Sequence, residues 1–332
     1  MGGKRIRAVF MGSDAIALPF LRDSRETHAD AVEWVGVFTQ PDRRSGRGMR
    51  LHMNAVKEWA LEADLPVRQP GRCGADDEAW LAEQAVDLVV VMAYGQLLKR
   101  SLLDLPPLGA VNFHASPLPR LRGASPIATA LAEGWSETAV TLMKMVLRMD
   151  AGPVADVERV PIAEEDTLAD LRARVGQACV PLWRRAVERL RSGGHSFAEQ
   201  DESEATYCRI IRKEDAWLDF NAPARVLACR IRAFQPWPGA VVPHDGHELK
   251  IGAATEVQGD FGESAPGTVR FDEAGLPVVV CGRRALRLDR FQRPGGRMLP
   301  ATEFLRGYPL QDGTVLASRE MAPLVGSKPF RR

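Results

Sequence analysis

Residues 86–93, VDLVVVMA, form the strongest buried-strand candidate in the chain. A nearly continuous apolar run bounded by turn residues fits a parallel strand covered on both faces. Tyr94-Gly95-Gln96 leaves its C-terminal end, which is where open α/β sheets bind ligands. Upstream, Arg5 to Met11 reads as a strand, Gly12-Ser13-Asp14 as a turn, and Ala15 to Arg22 as a helix. With only one glycine, that turn lacks a dinucleotide fingerprint. A tight βα turn and a ligand-facing turn both remain open for it. Ala31 to Thr39 is a second strand, and helices are expected over Asn54 to Glu62 and Asp76 to Gln84. Downstream come a short helix (Leu97 to Leu103), a strand ending at His114, and a helix from Ser125 to Glu133 with Pro126 in its first turn. Strands Thr138 to Met145 and Val154 to Pro161 follow, then a long helix from Thr167 to about Ser192. Alternating strands and helices ahead of a hairpin predict an α/β domain over residues 1–192.

The stretch Gly109 to Pro126, GAVNFHASPLPRLRGASP, carries the chemistry. Period-two geometry puts Asn112 and His114 on one side of a strand, ahead of a proline-bracketed loop. An amide donor and an imidazole at a strand's exit suit a reaction that builds negative charge on a carbonyl oxygen. The plainer alternative is a buried strand with a hydrogen-bonded core histidine. A second feature is Gln40 to His52, QPDRRSGRGMRLH, where Arg43, Arg44, Arg47 and Arg50 sit among glycines without a hydrophobic period. It reads as a mobile basic loop, either solvated or contacting phosphates.

The 332 residues have a net charge of +1, which hides an asymmetry. Residues 206–332 hold 19 Lys and Arg against 14 Asp and Glu, a net of +5, and the remainder is −4. A basic second half hints at a polyanionic partner. Five scattered cysteines without a C-x-x-C pair argue against disulfides and zinc and for a reducing, cytoplasmic setting. No window approaches the ~18 apolar residues of a membrane span, and no apolar signal core follows the basic N-terminus.

In the second half, His195 to Ala205 reads as a polar linker and Ala222 to Ala233 as a helix before Pro236-Trp237-Pro238. Short strands at 240–242, 249–251, 267–271, 277–280 and 285–291 suggest a small β-barrel. Arg283, Arg287, Arg293 and Arg297 share strand parity, so they could make one basic face. Trp237 reads as a packing wedge.

Taken in order, Asn112-x-His114, Ser116-Pro117-Leu118-Pro119, Arg122-Gly123 and Asp150 in Met149-Asp150-Ala151-Gly152 resemble the folate-dependent formyltransferases. FTQPDRRSGRG, VKEWALEADLPVRQP, VVVMAYGQLL and RAFQPWPGA resemble the branch that formylates methionyl initiator tRNA. The resemblance implies a Rossmann-like formyltransferase domain (1–192), a linker (193–205), an OB-like tRNA-binding barrel (206–320) and a basic tail (321–332). It implies 10-formyltetrahydrofolate as donor, methionyl initiator tRNA as acceptor, no metal and a monomer. It further implies Asn112, His114 and Asp150 as catalytic residues. The folate would lie between Gln96, Leu97, Leu98 and the wall Ser116, Pro117, Leu118, Pro119. The loop with Arg43, Arg44, Arg47 and Arg50 would meet tRNA, Arg47 matching the family's functional arginine. Four positions depart from the family pattern. They are Arg148 for a small Gly, Ala139 for Gly, Pro117 for Leu, and Ile16 for an aromatic. Two other classes carry some of these features: a formyltransferase for small amines, and an RNA-binding protein without catalysis.

Overall fold

The computed structural model describes residues 4–45, 49–259 and 262–330. They form two compact units. Unit 1 takes residues up to Arg122, Thr138–Pro161 and Arg172–Thr206; unit 2 takes Gly123–Glu137, Ile162–Leu171 and everything from Tyr207.

Unit 1 is built on a seven-stranded sheet. Its strands are β1 (Ile6–Gly12), β2 (Val32–Phe38), β3 (Val67–Arg68), β4 (Leu88–Met92), β5 (Ala110–His114), β6 (Glu137–Lys144) and β7 (Val154–Pro161), in spatial order β7-β6-β5-β4-β1-β2-β3. The pairs from β3 to β5 are parallel, and β6 runs antiparallel to β5. All five residues of β4 and all five of β5 are buried. Alternation then sorts the core. Val9, Met11, Val89, Val91 and Ala110 point to one face with Leu81, Tyr94 and Leu98. Phe10 and Phe113 point to the other, where Phe20, Trp34 and Trp183 close an aromatic cluster with ring centroids 4.8–6.4 Å apart. Trp183 comes from the helix Leu168–Arg191, fully buried. Gly12 is required where it stands, because a Cβ there would collide with the Met92 carbonyl of the neighbouring strand.

Three elements differ from the sequence expectation. The first helix runs from a 3-10 turn at Ala15–Ala17 through Leu18–Thr27, capped by Asp14, whose side chain accepts from the Ile16 N–H at 3.0 Å. The basic loop contains a two-stranded hairpin, Arg43–Ser45 with Arg50–His52. The two-residue strand Val67–Arg68 is too short to leave a periodic signal.

Unit 2 holds a six-stranded antiparallel sheet formed by Ala240–His244, His247–Val257, Ala285–Gln292, Pro277–Val280, Val269–Phe271 and Leu299–Pro300. The helix Ala224–Ala233 packs on it through Leu227 and Ile231, and Phe304 stacks on Phe291 at 4.9 Å. The expected basic face is corrected by this sheet. Arg283 and Arg284 precede the strand, and Arg284 sits at φ 62. Arg293 and Arg297 follow it, so of the four arginines only Arg287 lies in the strand, and it bonds Asp289. Trp237 is also not a wedge: it is 58% exposed.

The segment read as a basic tail is part of unit 2. Val325–Gly326 pairs with Tyr207–Cys208, and the carbonyls of Ala322 and Pro323 accept from Arg209. Arg209 also makes two bonds, 2.6 and 2.7 Å, to the buried Asp215. Burial raises the Asp215 carboxyl, but the Arg209 bonds and the Arg212 N–H outweigh it and hold the group below its usual range. A depressed carboxyl stabilises the fold above its unfolded value, ~3.9, and that stability is lost as pH falls through the folded value. Unit 2 is therefore expected to unfold in urea at lower midpoints below about pH 4. Asp215→Asn should flatten that acid limb; a limb of unchanged steepness would assign it to other carboxylates.

Candidate active site

The parallel strands β1, β2 and β4 end at one edge of the sheet, and the residues that follow them line a cavity of about 430 Å³. Ser13 comes from the end of β1, Gln40 and Pro41 from β2, and Ala93, Tyr94 and Gly95 from β4; Arg43, His52, Met53 and Asn54 complete it. This is the carboxyl edge where such sheets bind ligands. Ser13 of the Gly12-Ser13-Asp14 turn thus faces the cavity. A polar network fixes the cavity floor. Thr39 donates to Asn54 at 2.9 Å, Gln40 N–H to Ser13 at 2.8 Å, and the Gln40 amide to the Tyr94 carbonyl at 2.8 Å. Lys57 reaches Asp42 and Gln69 at 2.6 and 2.7 Å, and the Lys57 bond, then that of Gln69, holds the Asp42 carboxyl low. Asp42 and Asn54 flank the arginine hairpin, so its root is anchored.

Beside this edge β5 presents Asn112 and His114. Both are buried, 9% and 6% exposed, on the same side of the strand. His114 Nε2 lies 2.9 Å from the Leu121 carbonyl. A carbonyl only accepts, so Nε2 carries the proton and the neutral ring's lone pair is on Nδ1. Nδ1 faces Asp150 Oδ1 at 3.7 Å. The Leu121 carbonyl, rather than Asp150, thus sets the tautomer of the neutral ring. Asp150 is placed to stabilise the ring once it is protonated. Asp150 itself holds a left-handed backbone, φ 51, a conformation that Asp and Asn adopt more readily than other non-glycine residues. Among the described residues, no protein group hydrogen-bonds the Asn112 side-chain amide. The side chain is nearly buried, yet its amide is not among the solvent-inaccessible polar atoms, so it can meet a ligand oxygen.

The remaining expected residues fall into distinct positions. Ser116 is fully buried, and its hydroxyl donates to the Arg120 carbonyl at 2.6 Å. Thr141 pins the loop by donating to the Ser116 carbonyl at 2.6 Å and accepting from Leu118 N–H at 3.2 Å. Leu118 is buried, and Pro117 and Pro119 are half-buried. Gln96 spends its amide on the backbone of Pro70 and Cys73, Leu98 packs in the core, and Leu97 is 60% exposed. Arg43 and Arg44 are exposed, and Arg50 opens the return strand. Arg47 lies outside the described residues. Among the departures, Ile16 is buried.

Several site residues had no readable signal in the sequence. Residues 193–205, expected as a linker, run in unit 1 and reach the site. Ala198 and Val154 exchange backbone bonds at 2.8 and 2.9 Å, and just beyond the segment Thr206 accepts from the Leu121 N–H at 2.9 Å. Arg122 is fully buried and bonds Gln200 and Glu202. Its bond, then burial in opposition and the Arg148 bond, leaves the Glu202 carboxyl at about 2. Among the described residues no His, Cys, Asp and Glu cluster could hold a metal, and no helix is long and apolar enough to cross a membrane.

Residues 5–186 match the formyl transferase family model, and residues 210–309 match the formyl transferase C-terminal domain. The chain belongs to the formyl transferase family. It is 41% identical over 320 residues to the methionyl-tRNA formyltransferase of Janthinobacterium sp. (strain Marseille), covering 92% of this chain and 99% of that protein. It is 44% identical over 318 residues to the methionyl-tRNA formyltransferase of Burkholderia multivorans, covering 93% and 96%. Two solved structures share the formyl transferase fold. A sugar 3N-formyl transferase, WlaRD, solved with dTDP and 5-N-formyl-THF, gives a TM-score of 0.63 at 16% identity over 86% of this chain and 98% of that one. The methionyl-tRNA formyltransferase of Clostridium thermocellum gives 0.53 at 12% identity over 76% and 94%.

Proposed function

We propose that this chain transfers the formyl group of 10-formyltetrahydrofolate to the free amino group of methionyl initiator tRNA, as a cytoplasmic monomer without a metal. The observation that carries the reading is the open Asn112 amide beside a histidine whose Nδ1 faces Asp150 at 3.7 Å. The names of the curated relatives support the substrates.

In this reading the amine attacks the formyl carbon, and Asn112 N–H donates to the oxyanion that forms. With Nε2 engaged by Leu121, His114 accepts the amine's proton on Nδ1. Asp150 stabilises the resulting imidazolium. The carbon–N10 bond then breaks, and His114 returns its proton to N10 of the departing tetrahydrofolate. The exposed Leu97 and the half-buried Pro117 and Pro119 are the members of the expected folate set best placed to touch a ligand. Ser116, Leu98 and Gln96 hold the walls from behind. Arg43, Arg44, Arg47 and Arg50 attract acceptor-arm phosphates, and the anchored hairpin root limits how much order binding must create.

The test is kcat/KM for charged initiator tRNA beside small amines, measured against salt. Arg43→Ala with Arg44→Ala should raise KM for the tRNA. It should also reduce the log–log salt slope by about 0.7–0.9 for each phosphate these arginines neutralise. Faster transfer to small amines than to the charged tRNA would return the activity to the small-amine class. An unchanged slope would remove these two arginines from the tRNA interface.

A further inference from the structure

The geometry points to Gln200 as a positioning residue for the catalytic carboxylate, an inference that rests on the formyl transfer proposed above. Its side-chain amide donates to the carbonyl of Asp150 at 2.9 Å and to that of Gly152 at 2.7 Å. Its oxygen accepts from Arg122 Nε at 3.1 Å and Nη2 at 2.7 Å. A guanidinium only donates, so the oxygen must face Arg122 and the NH2 group must face the two carbonyls. The orientation of the amide is therefore decided by its partners.

Arg122 is itself fixed. It has no solvent exposure, and its other donors reach Glu202 at 2.9 and 3.2 Å. Arg148 closes the far side of Glu202 at 2.6 Å. The chain of hydrogen bonds thus runs from a buried cation through Gln200 to the backbone on either side of Ala151. That backbone has little room elsewhere, since a Cβ at Gly152 would collide with the Lys144 carbonyl. What the brace holds is the left-handed turn that aims Asp150 at His114 Nδ1. Thr206, the residue that follows the 193–205 segment, steadies the other partner of His114 by accepting from the Leu121 N–H. A stretch whose composition resembles a linker therefore orients the carboxylate, and the residue just after it braces Leu121, whose carbonyl sets the His114 tautomer. Displacement of a reacting group by about 1 Å can cost on the order of a hundredfold in rate, so the brace has a catalytic consequence without touching substrate.

The experiment compares full-length wild type with Gln200→Ala and Gln200→Glu. The Glu variant keeps the size and the bond to Arg122 but cannot donate to the two carbonyls. Both variants are expected to lower kcat for methionyl-tRNA by at least about tenfold, with KM for 10-formyltetrahydrofolate within about threefold and a displaced pH profile of kcat. Crystal structures of both should show Asp150 moved away from His114. Asp150 unmoved, or moved with kcat unchanged, would overturn the inference; so would a lowered melting temperature with normal kinetics. If wild type forms no formylmethionyl-tRNA, the proposed function fails instead, and the position of Asp150 in the variant structures still decides whether Gln200 holds it.

Discussion

Asn112→Ala is expected to lower kcat by about a hundredfold to a thousandfold while the melting temperature stays near that of wild type. The two halves of this expectation come from one observation. The amide makes no hydrogen bond to any described protein group, so its removal orphans no buried partner. It sits on β5, a fully buried strand held by β4 on one side and β6 on the other, so the backbone that carries it is fixed. A donor of that kind acts on the charge that develops in the transition state, which is why the loss appears in kcat. His114→Ala should lose a comparable factor, with a small cost in stability because the Leu121 carbonyl is deprived of its imidazole donor. For the third residue Asp150→Asn is the better probe. Asparagine tolerates the left-handed backbone that alanine does not, so the charge is removed without disturbing the turn. Steady-state kinetics with charged tRNA, read beside thermal unfolding, checks all three. Activity of Asn112→Ala within a few-fold of wild type would remove it from the oxyanion role.

The second large effect is on stability. Trp183→Ala should cost about 3–5 kcal/mol. The side chain is fully buried, with its ring 5.7 Å from Trp34, 5.9 Å from Phe20 and 6.2 Å from Phe113. Aromatic walls from β2, from the helix Leu18–Thr27 and from β5 leave the site little freedom to collapse around a cavity. Trp183→Phe should cost much less. It keeps the ring packing and deletes an indole N–H that is buried without an acceptor among the described residues. Urea unfolding of the two variants gives the comparison. Equal midpoints for Ala and Phe would mean that this cluster is not what holds the Leu168–Arg191 helix to the sheet.

Asn112 and Trp183 were legible in the sequence to different degrees. The α/β order, the parallel core strands and their carboxyl-edge cavity follow from short-range pattern. A short β-branched run between turn residues is too brief for a helix of ordinary length and fits a strand covered on both faces. Asn112 and His114 could be paired on one face from period two alone. Their link to Asp150 came from resemblance, because 36 residues of chain separate it from His114 and no local rule spans that distance. Trp183 lies in a readable helix, but its three aromatic neighbours come from other elements.

What failed to show was any property decided by partners distant in sequence. A basic face by parity requires Arg283 to lie already in a strand and the arginines to lack acids. Of the four, only Arg287 lies in the strand Ala285–Gln292, and Asp289, two residues along it, pairs with that arginine. The 193–205 segment looks like a linker because its residues are polar, and polarity does not reveal whether a side chain meets water or a buried guanidinium. The sequence by itself determined the order of elements, the buried strands and the placement of Asn112 and His114 on one face of β5. Only the tertiary structure decided the proton position on His114, the partners of Arg122 and the role of Gln200. A hydrogen bond needs both its ends in place, and in each of these cases the second end is supplied by a different part of the folded chain.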